Sequence, residues 1–418
     1  MSNRQHSYNS GRIRRSGAGQ AGSIMPENTY KAAPSKGKGG SAVAKPRVSR
    51  GKKVLIIVIL ILVVLAGVLF FLYRYVDGIF EPGSFGSITQ NDPNKKYVPR
   101  DYNKSDVVHI LLVGIDNEEG RGYGEGLGLT DMLLYMRYDL KNNQLNMLQI
   151  PRDSYVGENY ATGGTGKINA LLNCGEDREN PINNIAGAIE EMFHLPVDHY
   201  ISMDMDAMKA IVDTFGGLKV YVPRDMSYGG SYLQQGWRWL DGDAAEFFVR
   251  NRNGTGFERA DIDRLDNQRH FYSALFRRLL NLTGPDIVNL LPVFEHYCNT
   301  DIGLTDIFDI AYSALNLTPD RVLFCKAPGT TGMDPGNKGR SLYLIDLYGR
   351  GTDEDPGLAT LLNTYFRDAD RPVAASALGL PQVQIPSGYT LYPPNVQVMS
   401  EVQEPEGGAD VDVEPQAA

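Results

Sequence analysis

VVHILLVGID, residues 107–116, is an apolar run that ends in an aspartate and decides the fold. A run of this length and composition is typical of a strand that is buried on both faces of a sheet. Two further apolar runs follow, DMLLYMRY (131–138) and QLNMLQI (144–150), joined by DLKNN (139–143). Because Asn and Asp favour tight turns, the two later runs predict a β-hairpin next to the first strand.

Helical and extended patterns alternate through the rest of the chain. Helices are predicted at 181–193, 204–215, 244–249, 261–282 and 285–297, a further strand at 218–223, and late elements of unassigned type at 322–327 and 341–347. Asp241 is the expected N-cap of the third helix. Strands separated by helices predict an α/β (α+β) fold in which helices flank a central mixed β-sheet. From 379 onwards the chain is rich in Pro, Gly, Val and Gln, so we expect an extended or disordered tail, with 383–385 as a candidate sheet-edge segment.

Charge is distributed unevenly along the chain. Of its 418 residues, 41 are Lys or Arg and 50 are Asp or Glu, and this net charge of −9 argues against a nucleic-acid partner. The hydrophobic content of 42% is that of a globular protein. The first 53 residues are nevertheless strongly basic, with Glu27 as their one acidic residue. The remainder of the chain is therefore more acidic than the total suggests.

Residues 54–73, VLIIVILILVVLAGVLFFLY, contain no charged side chain. A helix of about 20 apolar residues, rising about 1.5 Å per residue, crosses a hydrocarbon core of about 30 Å, so we expect a transmembrane helix. Lys and Arg are concentrated just before it, which predicts a cytoplasmic N-terminus and an extracellular remainder in the cell membrane. A buried core helix is the alternative, but such helices usually carry a polar stripe.

These features divide the chain into five parts. We expect a disordered basic cytoplasmic tail (1–53), a transmembrane helix (54–76), an extracellular stalk (77–105), a folded domain (106–350) and a C-terminal extension that is mostly a disordered acidic tail (351–418). In an exported domain the three cysteines allow at most one disulfide, for which Cys298 and Cys325 are a candidate pair.

Two carboxylates lie on either side of a glycine-rich loop. Asp116 ends the first strand and Asp131 begins the next, so both side chains are candidates to face one mouth of the sheet. Magnesium in proteins usually takes one or two carboxylates together with substrate phosphates. The pair therefore predicts a magnesium site, and the alternative is a turn aspartate and a strand cap with no ligand.

Cationic residues follow at the ends of later elements. Arg152 and Asp153 come directly after the third apolar run, and Lys167 precedes a short helical segment. The planar guanidinium group of arginine suits phosphate. The alternatives are a surface Arg–Asp pair for the first two residues and a solvated lysine for the third.

The most specific pattern joins the end of one helix to the start of another. Arg250 and Arg252 are two positions apart in chain expected to be extended, which would point them to one side. Asp261, Arg264 and Gln268 follow at i, i+3 and i+7 and so line one helix face. Several arginines aimed at one place repel each other unless an anion lies between them, and a diphosphate is the natural candidate.

Seven segments in consistent order and spacing resemble the LytR-CpsA-Psr family of cell-wall enzymes, over roughly residues 106–283. They are VVHILLVGID, TDMLLYMRYD, LQIPRDSYV, GKINALL, VDHYISMDMDAMKAIVDTFGGLKVYVP, LDGDAAEFFVRNR and DIDRLDNQRHFYSAL. The resemblance implies a LytR-CpsA-Psr-type domain preceded by one transmembrane helix. It also implies a phosphotransferase that takes an anionic glycopolymer, such as a teichoic acid, from a polyprenyl-diphosphate carrier and joins it to peptidoglycan by a phosphodiester.

The resemblance also implies roles for the residues that match the family motifs. The catalytic residues would be Asp116, Asp131 and Arg152, with Mg²⁺ (or Mn²⁺) held by Asp116 and Asp131. The diphosphate would be bound by the basic residues Arg152, Arg250, Arg252, Arg264 and Lys167, with Gln268, Asp153 and Asp261 beside it. The implied partners are the lipid-linked glycopolymer, peptidoglycan and the lipid bilayer.

Several positions depart from the family pattern. An Arg is common shortly after the first carboxylate and another two positions before the second, where this chain has Asn117, Glu118 and Leu129, with Arg121 as a candidate substitute. Asn267 and Arg269 replace the usual Arg and Gln around Gln268, and Asp263 replaces a Gly. Two alternatives follow: a non-catalytic envelope-binding or regulatory protein of the same fold, and a pyrophosphatase that hydrolyses a polyprenyl-diphosphate glycan.

Overall fold

A seven-stranded mixed sheet lies at the centre of the structure, a computed structural model that describes residues 107–116, 128–302, 310, 313–314, 316–351 and 355–402. The strands are β1 (Val107–Asp116), β2 (Leu129–Asp139), β3 (Gln144–Gln149), β4 (His199–Asp204), β5 (Leu218–Val222), β6 (Met226–Tyr228), β7 (Ser231–Leu233), β8 (Gly236–Leu240), β9 (Cys298–Thr300), β10 (Val322–Lys326), β11 (Gly329–Thr331), β12 (Tyr343–Ile345) and β13 (Gln397–Val398). The helices are α1 (Leu171–Cys174), α2 (Ile182–Phe193), α3 (Met205–Thr214), α4 (Gly242–Arg250), α5 (Asp261–Leu279), α6 (Gly284–Tyr297) and α7 (Gly357–Tyr365).

The strand order of the central sheet is β13-β10-β3-β2-β1-β4-β9. Strand β1 pairs antiparallel with β2 and parallel with β4, and β3 pairs antiparallel with β2 and parallel with β10. The predicted mixed sheet and the predicted hairpin are therefore confirmed. In the hairpin turn, Asp139 accepts a hydrogen bond from the backbone of Asn142 at 2.9 Å, and Asn143 adopts the left-handed conformation.

Helices cover both faces of this sheet, which explains the unbroken apolar run of β1. Alternate β1 residues enter two separate cores: Leu111 and Val113 pack on one face, and Ile110 and Leu112 on the other. The first core contains α2, and the second contains α3, α4 and α5. The predicted cap at Asp241 is confirmed, since its carboxylate accepts the backbone N–H of Ala244 at 2.8 Å.

Residues 355–402, part of the C-terminal extension that was expected to be mostly disordered, contain regular structure, whereas the acidic residues 403–418 lie outside the described residues. Helix α7 buries leucines such as Leu358 and Leu362 in the first core. Strand β13 pairs with β10 at the sheet edge. The candidate edge segment at 383–385 is wrong, because Val383 and Ile385 instead pack against a small apolar cluster. Periodicity did not show this, because these contacts join parts of the chain that are distant in sequence.

All three cysteines are free thiols, so the candidate disulfide between Cys298 and Cys325 is absent. Strands β9 and β10, which carry these residues, lie five positions apart in the sheet order. At about 4.8 Å per strand the separation is about 24 Å, far beyond disulfide reach.

The predicted transmembrane segment (54–76), the tail before it and the stalk after it lie outside the described residues. Within the described part of the chain, no helix has the length and apolar character needed to cross a membrane.

Candidate functional site

A β-bulge positions Asp131 at the end of the β1–β2 pair. Gly114 lies opposite Met132 and Ile115 opposite Thr130, which leaves Asp131 as the extra residue of β2. Bulges of this kind redirect a side chain and are frequent next to active sites. A Cβ atom on Gly114 would lie only 2.8 Å from the Cβ of Met132, so a glycine is required where the strands approach.

Arg250 lies beside Asp116, one of the two carboxylates that were expected to hold metal. Its Nη2 lies 3.4 Å from Oδ1 of the buried Asp116, and its Nη1 donates to Glu246 at 2.6 Å. Burial disfavours the charged form of Arg250, but the negative charges of Glu246, Asp116 and Asp131 outweigh this effect and raise its pKa. Asp131 makes its own contact with Arg152, so each carboxylate of the expected metal pair is matched with an arginine.

Arg152 lies on the other side of Asp131 and donates to its carboxylate through Nη1. Its Nε is 3.8 Å from Asp153, which also lies 3.2 Å from the Nζ atom of Lys167. Burial would lower the pKa of Arg152, but Asp131, Asp153 and Asp261 together raise it. The predicted cationic residues after β3 are therefore brought to the bulge.

Asp261 is the centre of a second cluster at the start of α5. Arg264 approaches it at 3.3 Å and Arg252 at 3.8 Å. Burial opposes ionisation of this aspartate, but Arg264, Arg152 and Arg252 outweigh it and lower its pKa. Arg264 is only 3% exposed. Burial and, to a smaller extent, the nearby positive charge of Arg152 lower the pKa of Arg264.

Two guanidinium donors in these clusters are not satisfied. Among the described residues, the buried Nε atoms of Arg152 and Arg264 have no hydrogen-bond partner. Leaving a buried charged donor unpaired is costly. The arrangement is therefore suited to an anion with several acceptor oxygens, such as a phosphate group.

Arg250 and Arg252 do not act as a side-by-side pair. The prediction placed both in extended chain, but Arg250 is the last residue of α4 and the extended backbone begins at Asn251. One arginine therefore meets Asp116 and the other meets Asp261. The helix ends one residue later than the sequence pattern indicated, and Glu246 and Arg250 form an i, i+4 ion pair along its last turn.

Gln268 lies close to the site but uses its amide to join elements. It donates to the carbonyl of Val249 at 3.1 Å and accepts from Gln149 at 2.8 Å. These two bonds tie α5 to the end of α4 and to the end of β3, and so hold Arg250 and Arg152 in place.

An apolar cavity of about 200 Å³ extends along α5 from this cluster. On α5 its wall runs from Arg264 to Leu279, which is about 22 Å of helix. Asp131, Arg250, Arg264 and Gln268 line its polar end. Apart from Asp204, the remaining wall is mostly apolar and includes Met136, Met203, Met208, Phe271, Leu275 and Phe276.

A second, polar chamber of about 110 Å³ lies next to Arg264, which lines both spaces. Arg152, Asp153 and Asp261 form one wall of it, and the opposite wall comes from the segment around β11 and β12, including Thr331, Ser341 and Tyr343. Together, the two spaces form a site for a molecule with a long apolar part, an anionic group and a polar part.

Arg259, which was not among the predicted site residues, also lines the polar chamber. Its Nε donates to Asp263 at 2.8 Å and its Nη2 to Asp266 at 2.7 Å. Asp263, one of the departures from the family pattern, is the sequence signal that indicates this arginine, since it lies four residues later, in the first turn of α5. No pattern in the sequence indicated that Thr331 and Ser341 would form the opposite wall of the polar chamber.

The other departures have different environments. Asn267 is buried and donates to the carbonyl of Phe248 at 3.2 Å. Arg269 is 3.7 Å from Asp266 and lines neither of the two cavities. Leu129 pairs with Asp116 at the start of β2. Asn117, Glu118 and Arg121 lie outside the described residues.

The residue types around the bulge fit a divalent cation that binds together with a phosphorylated substrate. In the described segments, no group of three or more His, Cys, Asp or Glu side chains could hold a metal ion. Asp116 and Asp131 supply two carboxylates, and magnesium commonly completes its coordination with phosphate oxygens and water. Arg250 and Arg152 currently pair with these carboxylates and would turn toward the added phosphate.

The fold and the site define an α/β protein in which an apolar cavity ends at an arginine-rich cluster. The LytR_cpsA_psr family model matches residues 84–347, more than half of the chain. The chain belongs to this family.

Named relatives and one solved structure agree with this assignment. The chain is 29% identical to the polyisoprenyl-teichoic acid–peptidoglycan teichoic acid transferase TagU of Oceanobacillus iheyensis over 256 residues, which is 59% of this chain and 76% of that protein. It is 27% identical to TagU of Bacillus subtilis over 209 residues, 50% of this chain and 64% of that protein. The structure of protein gbs0355 from Streptococcus agalactiae superimposes with a TM-score of 0.52 at 18% identity, covering 64% of this chain and 90% of that one, and shows the shared fold alone.

Proposed function

We propose that the protein is a phosphotransferase that moves an anionic glycopolymer from a polyprenyl-diphosphate carrier to peptidoglycan, with formation of a phosphodiester. One observation carries the proposal: Arg264 lines both the apolar cavity and the polar chamber, and its buried Nε lacks a partner in the described part of the chain. A lipid diphosphate linked to a glycan matches this order of apolar, anionic and polar space. The names of the TagU relatives support the same reaction class.

The donor would bind with its lipid along α5 and its diphosphate at the arginines. The apolar cavity buries the polyprenyl chain, and this burial holds the donor without using the reacting groups. Arg152, Arg252 and Arg264 would contact the diphosphate, and Arg250 would join them by leaving Asp116. Asp153 and Asp261 orient the arginines, and Lys167 adds positive charge beside Asp153.

Mg²⁺ would be held by Asp116 and Asp131, and Mn²⁺ is the alternative ion. When bound, the ion would polarise phosphate oxygens and neutralise their charge. The chain's own contribution is to set the two carboxylates side by side through the bulge. Asp131 also keeps Arg152 oriented through their hydrogen bond.

The reaction is a substitution at the phosphorus on the glycan side of the diphosphate. A sugar hydroxyl of peptidoglycan attacks this phosphorus in line, a new P–O bond forms, and the bridging P–O bond breaks. The lipid phosphate leaves and takes up the hydroxyl proton. Arg152 and Arg264 stabilise the charge on the non-bridging oxygens, so the protein contributes position and electrostatics and forms no covalent intermediate.

We further propose that the catalytic domain works on the outer side of the cell membrane. The segment 54–76 would anchor it, with the basic tail 1–53 in the cytoplasm against anionic lipid. This arrangement brings the site to both the lipid-linked donor and peptidoglycan.

A reconstitution tests the proposal. The full-length protein in detergent is supplied with Mg²⁺, a polyprenyl-diphosphate glycan and a soluble peptidoglycan oligomer, and products are identified by mass spectrometry. We expect a glycan–phosphate–peptidoglycan conjugate and free polyprenyl phosphate, both lost when the ion is chelated. Free glycan phosphate without conjugate would indicate a pyrophosphatase, and unchanged substrates a binding or regulatory protein.

A further inference from the structure

The hairpin of β6 and β7 exposes two large aromatic side chains. Tyr228 is 53% exposed and Tyr232 is 60% exposed, whereas most large apolar side chains of the described chain are buried. The strand pairs are Ser227 with Tyr232 and Tyr228 with Ser231, so the two tyrosines project from opposite faces. Gly229 and Gly230 form the tip, where a side chain would meet no neighbouring atom. The hairpin is therefore a narrow finger with one tyrosine on each face and an open tip.

The base of this finger is held firmly. The backbone N–H of Gln235 donates to Asp225 at 2.8 Å, and the Gln235 amide donates to the carbonyl of Pro223 at 3.2 Å. Arg224 donates to the carbonyl of Gly256 and to Asn267 on α5. Exposed aromatic groups on a rigid element bind a ligand with little loss of conformational entropy, because few torsions have to be ordered.

The finger is continuous with the candidate site. Ser227 forms a β-bridge with Thr255, in the loop that follows Arg252. Gly254 of this loop lies so close that a Cβ atom there would be 2.2 Å from the carbonyl oxygen of Ser227 and 3.1 Å from the Cβ of Tyr228. Arg252 in turn approaches Asp261, which lines the polar chamber. The exposed tyrosines are thus one loop away from the arginines.

The chemistry of the finger suits a neutral sugar chain. No charged residue occurs between 226 and 237, and the segment MSYGGSYLQQGW combines aromatic rings with hydroxyl and amide groups. The next residue, Arg238, directs its guanidinium group to the carbonyls of Trp237 and Gln235. Aromatic rings stack against the C–H face of a pyranose, while hydroxyl and amide groups bond its hydroxyls. An anionic glycopolymer or an anionic membrane would instead favour a basic surface.

We propose that this finger, Met226–Leu233, binds the glycan strand of the acceptor peptidoglycan and guides a sugar hydroxyl toward the polar chamber. The inference rests on the proposed transferase function and names where its acceptor lies. A strand that crosses the glycine tip would contact both tyrosines, and its next sugars would reach the Arg252 loop.

The test is a binding titration that needs no turnover. Full-length protein is titrated with a soluble, glycan-only peptidoglycan fragment whose lactyl carboxyl groups are amidated and therefore neutral, and affinity is measured by calorimetry for the wild type, Tyr228→Ala/Tyr232→Ala and Tyr228→Phe/Tyr232→Phe. The matched control is Tyr348→Ala, which removes a tyrosine that is 56% exposed and bonds Gln382, away from the finger. Melting temperatures verify that each variant is folded.

We expect the double alanine variant to bind the fragment at least about tenfold more weakly, and the phenylalanine variant and the Tyr348→Ala control to bind it like the wild type. In the transferase assay, KM for the acceptor should rise while KM for the donor stays constant. Equal binding by the double alanine variant would overturn the inference, as would a wild type that does not bind the fragment or a loss confined to the donor glycan. If binding depends on the tyrosines but no conjugate forms, the finger is supported and the transferase proposal fails.

Discussion

The two spaces that meet at Arg264 differ in almost every other respect. The apolar cavity is built from the side chains of regular elements, chiefly α3, α5 and the sheet, whereas the polar chamber is built from loops, the start of α5 and the ends of the short strands β11 and β12. The apolar cavity removes an apolar group from water without fixing its orientation, whereas the polar chamber presents charged side chains in fixed positions. Affinity for a lipid-linked substrate can therefore reside in one space, and the chemistry in the other, which is how binding energy far from the reaction supports catalysis.

The largest expected effect comes from the charged side. Arg152→Ala should lower kcat by about 10²- to 10³-fold, because it removes an oriented donor to the phosphate and leaves Asp131 without its partner. Turnover of the lipid-linked donor is followed by mass spectrometry. Arg350→Ala, which removes an exposed arginine paired with Asp355, is the control and should retain activity. Activity in Arg152→Ala close to the wild-type rate would refute the assignment of the charged side.

The carboxylates at the bulge should come next. Asp116→Asn and Asp131→Asn each keep the side-chain shape and remove one negative ligand, so we expect turnover to fall about 100-fold and to require more Mg²⁺. Activity is measured across a Mg²⁺ titration. Asp139→Asn, in the hairpin turn, is the control. An unchanged Mg²⁺ dependence in both site variants would remove these residues from the metal site.

The apolar side should give a smaller and selective effect. Leu275→Trp places a bulky ring in the cavity, so KM for a long-chain donor should rise about tenfold while a donor with a short lipid is little affected. Val288→Trp adds the same ring at a position that is 66% exposed and is the control. If long and short donors responded equally, the cavity would not be the lipid site.

The smallest effect on activity should come from mild acid, because it lowers the free energy of unfolding and leaves the charges of the candidate site unchanged. Burial lowers the pKa of His270 from 6.5 to about 4. His270 is therefore largely neutral in the folded protein at pH values where the unfolded chain already gains a proton. The stability that it contributes is fully present above pH 6.5 and is lost toward pH 4, by about 1.4 kcal/mol per pH unit.

Urea unfolding at pH 7.5 and pH 5.5 measures this loss, and His270→Gln should reduce it. The arginines of the chamber remain charged over this range, so anion binding to the folded protein should change little. Equal pH dependence of unfolding in the wild type and His270→Gln would contradict the expected role of that histidine.

Local patterns predicted much of the fold and the candidate site. The hairpin, the helix capped by Asp241 and the α5 face carrying Arg264 and Gln268 all follow from spacing of three to four residues or from alternation. Arg152 could be placed because it follows a strand whose end must lie at a sheet edge. Each of these features depends on contacts within a short stretch of chain.

The remainder depended on contacts between distant segments. Arg259 was recognised as part of the site only from its hydrogen bonds to Asp263 and Asp266. Thr331 and Ser341 were recognised only because they line the same chamber as Arg152. The tail that was expected to be disordered contributes β13 because Leu323 and Phe324 of β10 offer an open edge.

The sequence by itself determined that this protein has a buried mixed sheet, flanking helices and arginines at their ends, because apolar periodicity and turn residues act locally. Only the tertiary structure decided that Asp131 is bulged toward Arg152, that Cys298 and Cys325 lie at distant strands, and that Arg264 separates an apolar cavity from a polar chamber. The physical reason is that cavity shape and unpaired charge arise from how elements pack, and packing joins residues that no spacing along the chain relates.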